Sequence, residues 1–244
     1  MRDGRSVSLI PGELPQADSH LLRSARMART VAFFDLDRTL IDVNSGLLWA
    51  QHERRHGHIS RGQMARAVFW TALYHLAAID METAVSRALD HYRGVDAEAL
   101  DRRTRAWFER EVALRLRPRA AEAMAEHRRR GHLLVILTNS SSYEARAATE
   151  RWGFDDFLAN SFPTDGRGRL TGAFERPLCY GRGKVTRAEV WARERGIDLS
   201  GSTFYSDSYS DLPMLERVGQ PRVVRPDPRL RLAARRRGWR ILDW

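Results

Sequence analysis

The chain has one cysteine, Cys179, so no disulfide can form within it. That suits a reducing compartment, and a cytoplasmic location is the expectation. Lysine is equally scarce: of 41 basic residues, only Lys184 is lysine. Residues 1–30 hold no apolar run of the kind a signal peptide needs. The longest apolar stretch, Ala65 to Ile79, is too short to span a bilayer and contains Arg66 and His75. No internal repeat or low-complexity segment stands out. The net charge of +10 comes from arginines dispersed over nearly every segment. Nucleic-acid binding uses clustered stripes, so no nucleic-acid partner is expected, and no membrane partner either.

What is present suffices for a sizeable core. The 244 residues are 43% apolar, enough for one large domain or a core domain with a smaller one inserted. Residues 1–29 mix Pro, Gly, Ser and charge without periodicity and read as a flexible tail, with Met27 a candidate start. The run Thr30–Leu36 reads as a buried strand. From Ser45 to about His127 the pattern is helical, with apolar residues recurring at three and four in Ala65–Ile79, Met81–Tyr92 and Leu100–Leu114.

Beyond this block, strands and helices alternate. Pro118–Arg130 reads as a helix stopped by Gly131, His132–Thr138 as a second buried strand and Ser142–Trp152 as a helix. Phe157–Phe162 and Arg169–Phe174 flank Thr-Asp-Gly-Arg-Gly, a hairpin signal. Lys184–Gly196, Ser210–Val218 and Pro228–Arg237 read as helices, Ser202–Ser206 and Arg222–Val224 as strands. Such alternation predicts an α/β fold, a doubly wound, mostly parallel sheet covered on both faces. The helical block is too long for one crossover. Residues 45–117 are expected to form an inserted helical cap, with 30–44 and 118–244 as the core.

In open α/β sheets, ligands bind beyond the carboxyl ends of the strands. The first strand ends in Asp35-Leu-Asp37-Arg-Thr39, the second in Thr138-Asn139-Ser140, and a later one in Ser206-Asp207-Ser208, with Asp211 following. Lys184 opens a helix after Gly181-Arg-Gly183. Any one of these acids alone is more often a turn residue or a helix cap. Together they place four acids and a lysine on one rim. Carboxylates gathered in one pocket repel each other, which a divalent cation relieves, and Mg²⁺ prefers such oxygen ligands. A lysine there can neutralise phosphate, and Thr138 with the amides after it, Asn139 first, can donate to phosphate oxygens.

These residues resemble the haloacid dehalogenase superfamily. Its first motif, Asp-x-Asp-x-Thr, is matched by Asp35, Asp37 and Thr39; its second by Thr138; its third by Lys184; its fourth by Asp207 and Asp211. The helical insert, with Ser206-Asp-Ser-Tyr-Ser-Asp-Leu-Pro-Met-Leu and the final Gly238-Trp, is similar to the phosphoserine-phosphatase-like subgroup. The resemblance implies a magnesium-dependent phosphatase acting on a small phosphomonoester. Asp35 would be the nucleophile and Asp37 the general acid and base. Thr138, Asn139 and Lys184 would hold phosphate. Asp35 and Asp207, with the Asp37 carbonyl, would bind Mg²⁺, and Asp211 and Thr39 would support them.

Phosphoserine phosphatases carry a Glu nine residues after the nucleophile, where this chain has Asn44. That makes Asn44 the candidate for substrate selection and leaves histidinol phosphate open beside phosphoserine. Two other readings stand: a lipid-phosphate phosphatase using Ala65–Ile79 at a membrane surface, and a phosphate-binding or regulatory module without turnover. His52, His56 and His58 lie close in sequence but lack further ligands for zinc and read as solvated histidines.

Overall fold

The computed structural model describes residues 30–75 and 80–244. The tail read for residues 1–29, and the Leu76, Ala77 part of the apolar stretch, lie outside these residues. Val31–Phe34 forms β1, with all four side chains buried. An unbroken apolar strand belongs at the centre of a sheet covered on both sides, and that is where β1 sits. The other strands are β2 (Leu133–Ser141), β3 (Asp156–Asn160), β4 (Thr203–Ser206), β5 (Gln220–Val224) and β6 (Arg240–Leu242). They form one sheet in the order β3-β2-β1-β4-β5-β6, and every pairing is parallel.

Alternate residues of each strand feed two separate cores, as the pleat requires. Ala32, Phe34, Leu134, Ile136, Tyr205 and Val224 face one side. Against them pack Ala120 and Met124 of α5 (Pro118–Arg129) and Ala147, Ala148 and Trp152 of α6 (Ser142–Trp152). Val31, Phe33, Val135, Leu137, Phe204 and Val223 face the other side. There they meet α7 (Arg182–Glu194), α8 (Leu212–Arg217) and α9 (Pro228–Arg237).

Between β1 and β2 the described residues form helices and turns: α1 (Ser45–Arg55), α2 (Arg61–His75), α3 (Met81–Leu89) and α4 (Ala97–Trp107), then a short helical run to Arg115. The chain leaves and returns side by side, because Ile41 pairs antiparallel with Leu116 and Arg117 N donates to Leu40 O at 2.8 Å. The insertion does not keep a wholly separate core. Trp107, Phe108, Val112 and Ala113 are buried in the same cluster as Phe34 and Leu36, and Trp152 Nε1 donates to Ala113 O. No helix among the described residues is long and apolar enough to cross a membrane.

Two sequence expectations need correcting. The hairpin is short and irregular: Thr164 bridges Leu170, and Asp165 N donates to Arg169 O, Thr171 N to Pro163 O and Glu175 N to Ser161 O. Its first arm is taken by β3, which pairs with β2 in parallel. Its second arm pairs also with the insertion, where Gly94 N donates to Leu170 O at 2.8 Å and Leu170 N to Val95 O at 2.9 Å. The local turn signal is met, while other partners keep its arms from forming a regular two-stranded ladder. Strand β6, three residues long, was not foreseen, because so short a run shows no periodicity.

A buried relay sits under β1. Phe34 stacks on Tyr205 with centroids 4.5 Å apart. The Tyr205 hydroxyl pairs with His127 Nε2 at 3.0 Å, and His127 Nδ1 with His132 Nδ1 at 2.9 Å. Burial, with the neighbouring His132 and Arg130, lowers the His127 pKa to about 4. The folded state therefore binds this proton more weakly than the unfolded chain does. Its contribution is complete above the unfolded value near 6.5 and is lost as pH falls toward about 4, by about 3 kcal/mol in all. Urea unfolding of wild type and His127→Gln at pH 7 and pH 4.5 checks this, the variant showing the shallower loss on acidification.

Candidate active site

Asp35 follows directly on β1, and its backbone N–H donates to Tyr205 O of β4 at 3.0 Å. This anchors it at the crevice where the strand order changes direction. The chain then makes one wide turn: Leu40 N donates to Asp35 O and Ile41 N to Leu36 O. Arg38 takes a positive φ of 58° to complete it. The turn brings Asp37 back over the rim, where Ser45 N donates to Asp37 Oδ1 at 2.7 Å. It also buries Thr39, whose hydroxyl donates to Asp207 Oδ1 at 3.3 Å.

The ladder between β2 and β3 breaks register between Leu137 and Ser141. Thr138, Asn139 and Ser140 fall in that irregularity, so β2 runs past Thr138 instead of ending there. Ser140 N donates to Thr138 Oγ1 at 3.1 Å. Asn160 of β3 donates to both the carbonyl and the side-chain oxygen of Asn139, at 2.6 and 3.1 Å. The Asn139 side chain is thereby tied to the sheet.

Lys184 lies in the first turn of α7 and is 2% exposed. Its ammonium donates to Asp35 Oδ1 at 2.7 Å and to Asp211 Oδ2 at 2.8 Å. Ser206 Oγ donates to the same Asp211 oxygen at 2.7 Å. Burial alone would discharge Lys184, but the carboxylates of Asp211 and Asp35 outweigh it and hold its pKa above the ordinary lysine value. Gly183 makes the approach possible, since a Cβ there would lie 1.8 Å from Leu178 O. No other residue fits so near a backbone carbonyl.

The acids carry the opposite strain. Burial raises the Asp35 pKa well above its usual value; Lys184 opposes this, while Asp211 and Asp207 add to it. Burial, then Asp211, pushes Asp207 up to about 7. Burial also raises Asp37, against the hydrogen bond from Ser45. Asp211 Oδ1 is buried without a partner. A cavity of about 490 Å³ opens beside Asp207, lined also by Arg38, Arg117 and Arg225.

Asp35, Lys184, Asp211 and Ser206 are thus joined by direct contacts, and Thr39 and Asp207 form a second pair, with Asp37 held by the Ser45 amide. Asn44 is not among them: its side chain is exposed and accepts from Leu47 N at 2.9 Å, capping α1. His52 pairs with Glu111, His56 with the His52 carbonyl and His58 with Arg103.

One residue escaped the sequence analysis. Glu144 is 5% exposed, and burial followed by repulsion from Asp37 raises its pKa to about 8. Its sequence context, Ser141-x-x-Glu144, looks like a capping box, and Ser141 Oγ does accept from Glu144 N. The carboxyl, however, faces the hydroxyls of Ser45 and Ser140.

Comparison with known proteins follows this geometry. Residues 32–216 match the family model for haloacid dehalogenase-like hydrolases. A histidinol-phosphatase of Neisseria meningitidis serogroup C (strain 8013) is 26% identical over 220 residues, 88% of this chain and 99% of that one. A Bordetella pertussis Tohama I protein of unknown function superposes with a TM-score of 0.82 at 27% identity, covering 89% of this chain and 99% of that one. A phosphoserine phosphatase, solved as an analogue of its phospho-aspartyl intermediate, shares the fold with a TM-score of 0.60 at 18% identity, over 84% of this chain and 90% of that one.

Replacing Lys184 by Met should expose how the rim is balanced. It leaves Asp35 and Asp211 buried without their cation, and loss of one member of a buried pair costs about 3–5 kcal/mol. The expected outcome is an unfolding free energy, from urea titration, lowered by that amount at pH 8, with the deficit shrinking toward pH 5 as protons replace the missing ammonium.

Proposed function

The chain belongs to the haloacid dehalogenase-like hydrolases, and on that premise we propose a magnesium-dependent phosphomonoesterase working through an aspartyl-phosphate on Asp35. The single observation that carries the reading is the buried contact of Lys184 with Asp35 at 2.7 Å. It fixes the orientation of one carboxylate at a crevice, and a cation beside that carboxylate supports the reading of an anionic nucleophile meeting an anionic substrate.

The residues present fit a hard divalent cation. Asp35 and Asp207 offer buried carboxylate oxygens, and Asp211 Oδ1 is an orphan beside them. Among the described residues no group of three or more His, Cys, Asp or Glu side chains forms a ready metal cage. Asp35, Asp207 and the Asp37 carbonyl would hold Mg²⁺, which keeps waters and substrate oxygens in its remaining positions. When bound, the ion offsets charge between nucleophile and phosphoryl group.

The chain's own groups do the rest. The free oxygen of Asp35 attacks phosphorus, while Lys184 and Thr138 hold phosphoryl oxygens. Asp37 gives a proton to the departing alkoxide. Burial raises its pKa, the direction a general acid needs. In the second half-reaction the same carboxylate takes a proton from water as the water attacks the aspartyl-phosphate. Asp211 and Ser206 position Lys184, and Thr39 positions Asp207.

The name of one relative supports a substrate class. The Neisseria protein is named a histidinol-phosphatase, which supports a small ester of an amino alcohol. A module that only binds phosphate has less support, since Asp35, Asp37, Thr138, Lys184 and Asp207 are all present.

Phosphate release from phosphoserine, histidinol phosphate, glycerol phosphate and p-nitrophenyl phosphate tests the proposal. Wild type should turn over at least one ester with Mg²⁺ and lose that activity in excess EDTA. Asp35→Asn should reduce kcat about a thousandfold or more, and Asp37→Asn roughly a hundred- to ten-thousandfold. Equal activity in Asp35→Asn would remove Asp35 as nucleophile.

A further inference from the structure

The cavity beside Asp207 is not used by the chemistry above. It holds about 490 Å³, and three guanidiniums line it, those of Arg38, Arg117 and Arg225. Asp35, Asp37, Thr138 and Lys184 are not in its lining. The three arginines come from separate parts of the chain. Arg38 stands in the wide turn after β1 and Arg225 directly after β5. Arg117 stands where the insertion returns to the core, its N–H on Leu40 O.

These cations are short of anions. Arg117 Nη1 and Arg225 Nη1 share one acceptor, the Trp244 main-chain oxygen, at 3.3 and 3.1 Å. Arg225 otherwise lies 3.9 Å from Asp243, whose side chain is fully exposed. Burial, then the neighbouring Arg225, lowers the Arg117 pKa, and Arg117 Nε is buried without a partner. The acids of the lining are engaged elsewhere. Both Asp227 oxygens accept backbone amides, from Tyr209 and Leu230. Asp42 lies 3.6 Å from Arg115, and Asp207 accepts from Thr39. The backbone adds a separate observation. Among the described residues only two that are not glycine have positive φ, Arg38 at 58° and Arg225 at 37°. A side chain at such a position costs backbone energy that glycine avoids. Strain of this kind gathers at ligand clamps, and both strained residues line this one cavity.

We propose that the cavity is a second anion site, taking a phosphate group between Arg38, Arg117 and Arg225, apart from the phosphoryl position at Lys184 and Thr138. Guanidinium forks match phosphate oxygens, and an anion among them relieves their mutual repulsion. Arg117 and Asp42 flank the bridge between Ile41 and Leu116, where the chain enters and leaves the helical insertion. A phosphate held here ties that crossing to the turn after β1 and to the end of β5.

Calorimetric titration of the full chain with inorganic phosphate tests the proposal without turnover. It is run in EDTA, with ionic strength matched by potassium chloride. Without a metal ion the acids around Lys184 outnumber it and repel phosphate, so the arginine cavity is the site that responds. Saturable one-to-one binding is expected. Arg225→Gln should weaken it about tenfold or more, the scale of one charged hydrogen bond. Arg38→Gly should weaken it as much while leaving the urea midpoint no lower, since glycine suits that backbone. Thr138→Ala should leave the affinity unchanged. Glycerol phosphate, titrated in parallel, separates the sources: equal or weaker binding marks the free ion as ligand, tighter binding an organic phosphate. No saturable binding, an affinity unchanged in both arginine variants, or binding lost in Thr138→Ala would overturn the proposal.

Discussion

A buried ammonium between two buried carboxylates organises this molecule's rim. Lys184 cannot sit at the start of α7, shielded from water, unless Asp35 and Asp211 meet it within hydrogen-bond distance. Those acids in turn cannot stay ionised there without it. The mutual requirement sets the geometry around it. Helix α7 must press against the Leu178 carbonyl, so residue 183 is glycine. Ser206 must end β4 with its hydroxyl on Asp211. The wide turn after β1 then stacks Thr39 on Asp207. Packing of the two apolar cores supplies the platform, but the contacts at its upper edge follow from charge.

The same balance explains why the rim suits phosphate chemistry. More carboxylates than cations converge on one crevice, and burial raises the pKa of Asp35, Asp37 and Asp207 together. Such a site gains from any added positive charge. Stability and the proposed function therefore draw on the same residues, and the strain in the acids is held in check by a sheet that is closely packed on both faces.

Much of this was legible in the residues. Unbroken apolar runs identified β1 and β2 as central strands, and the motifs around Asp35, Thr138, Lys184 and Asp207 pointed to the family that the comparisons show. The parallel α/β fold read from strand and helix alternation is the one observed. Other features were hidden for physical reasons. The arms around Thr164–Gly168 carry a good turn, but their strand partners come from β2 and from the insertion, which no local pattern reveals. Asn44 sits where a selecting residue is expected, yet its side chain satisfies a helix N-terminus. Glu144 had the opposite fate: its spacing from Ser141 imitates a cap, while the fold turns its carboxyl toward Asp37.

The scarcity of lysine has a practical side. Because Lys184 is the chain's one lysine, isotope incorporated as labelled lysine reports from a single side chain, and that side chain touches Asp35, the proposed nucleophile. Its resonance needs no assignment by mutation. Exchange of its ammonium protons would report how well the fold shields it from water. The enzyme carries a native probe at the centre of its own chemistry, placed there by a composition in which arginine fills every other basic position.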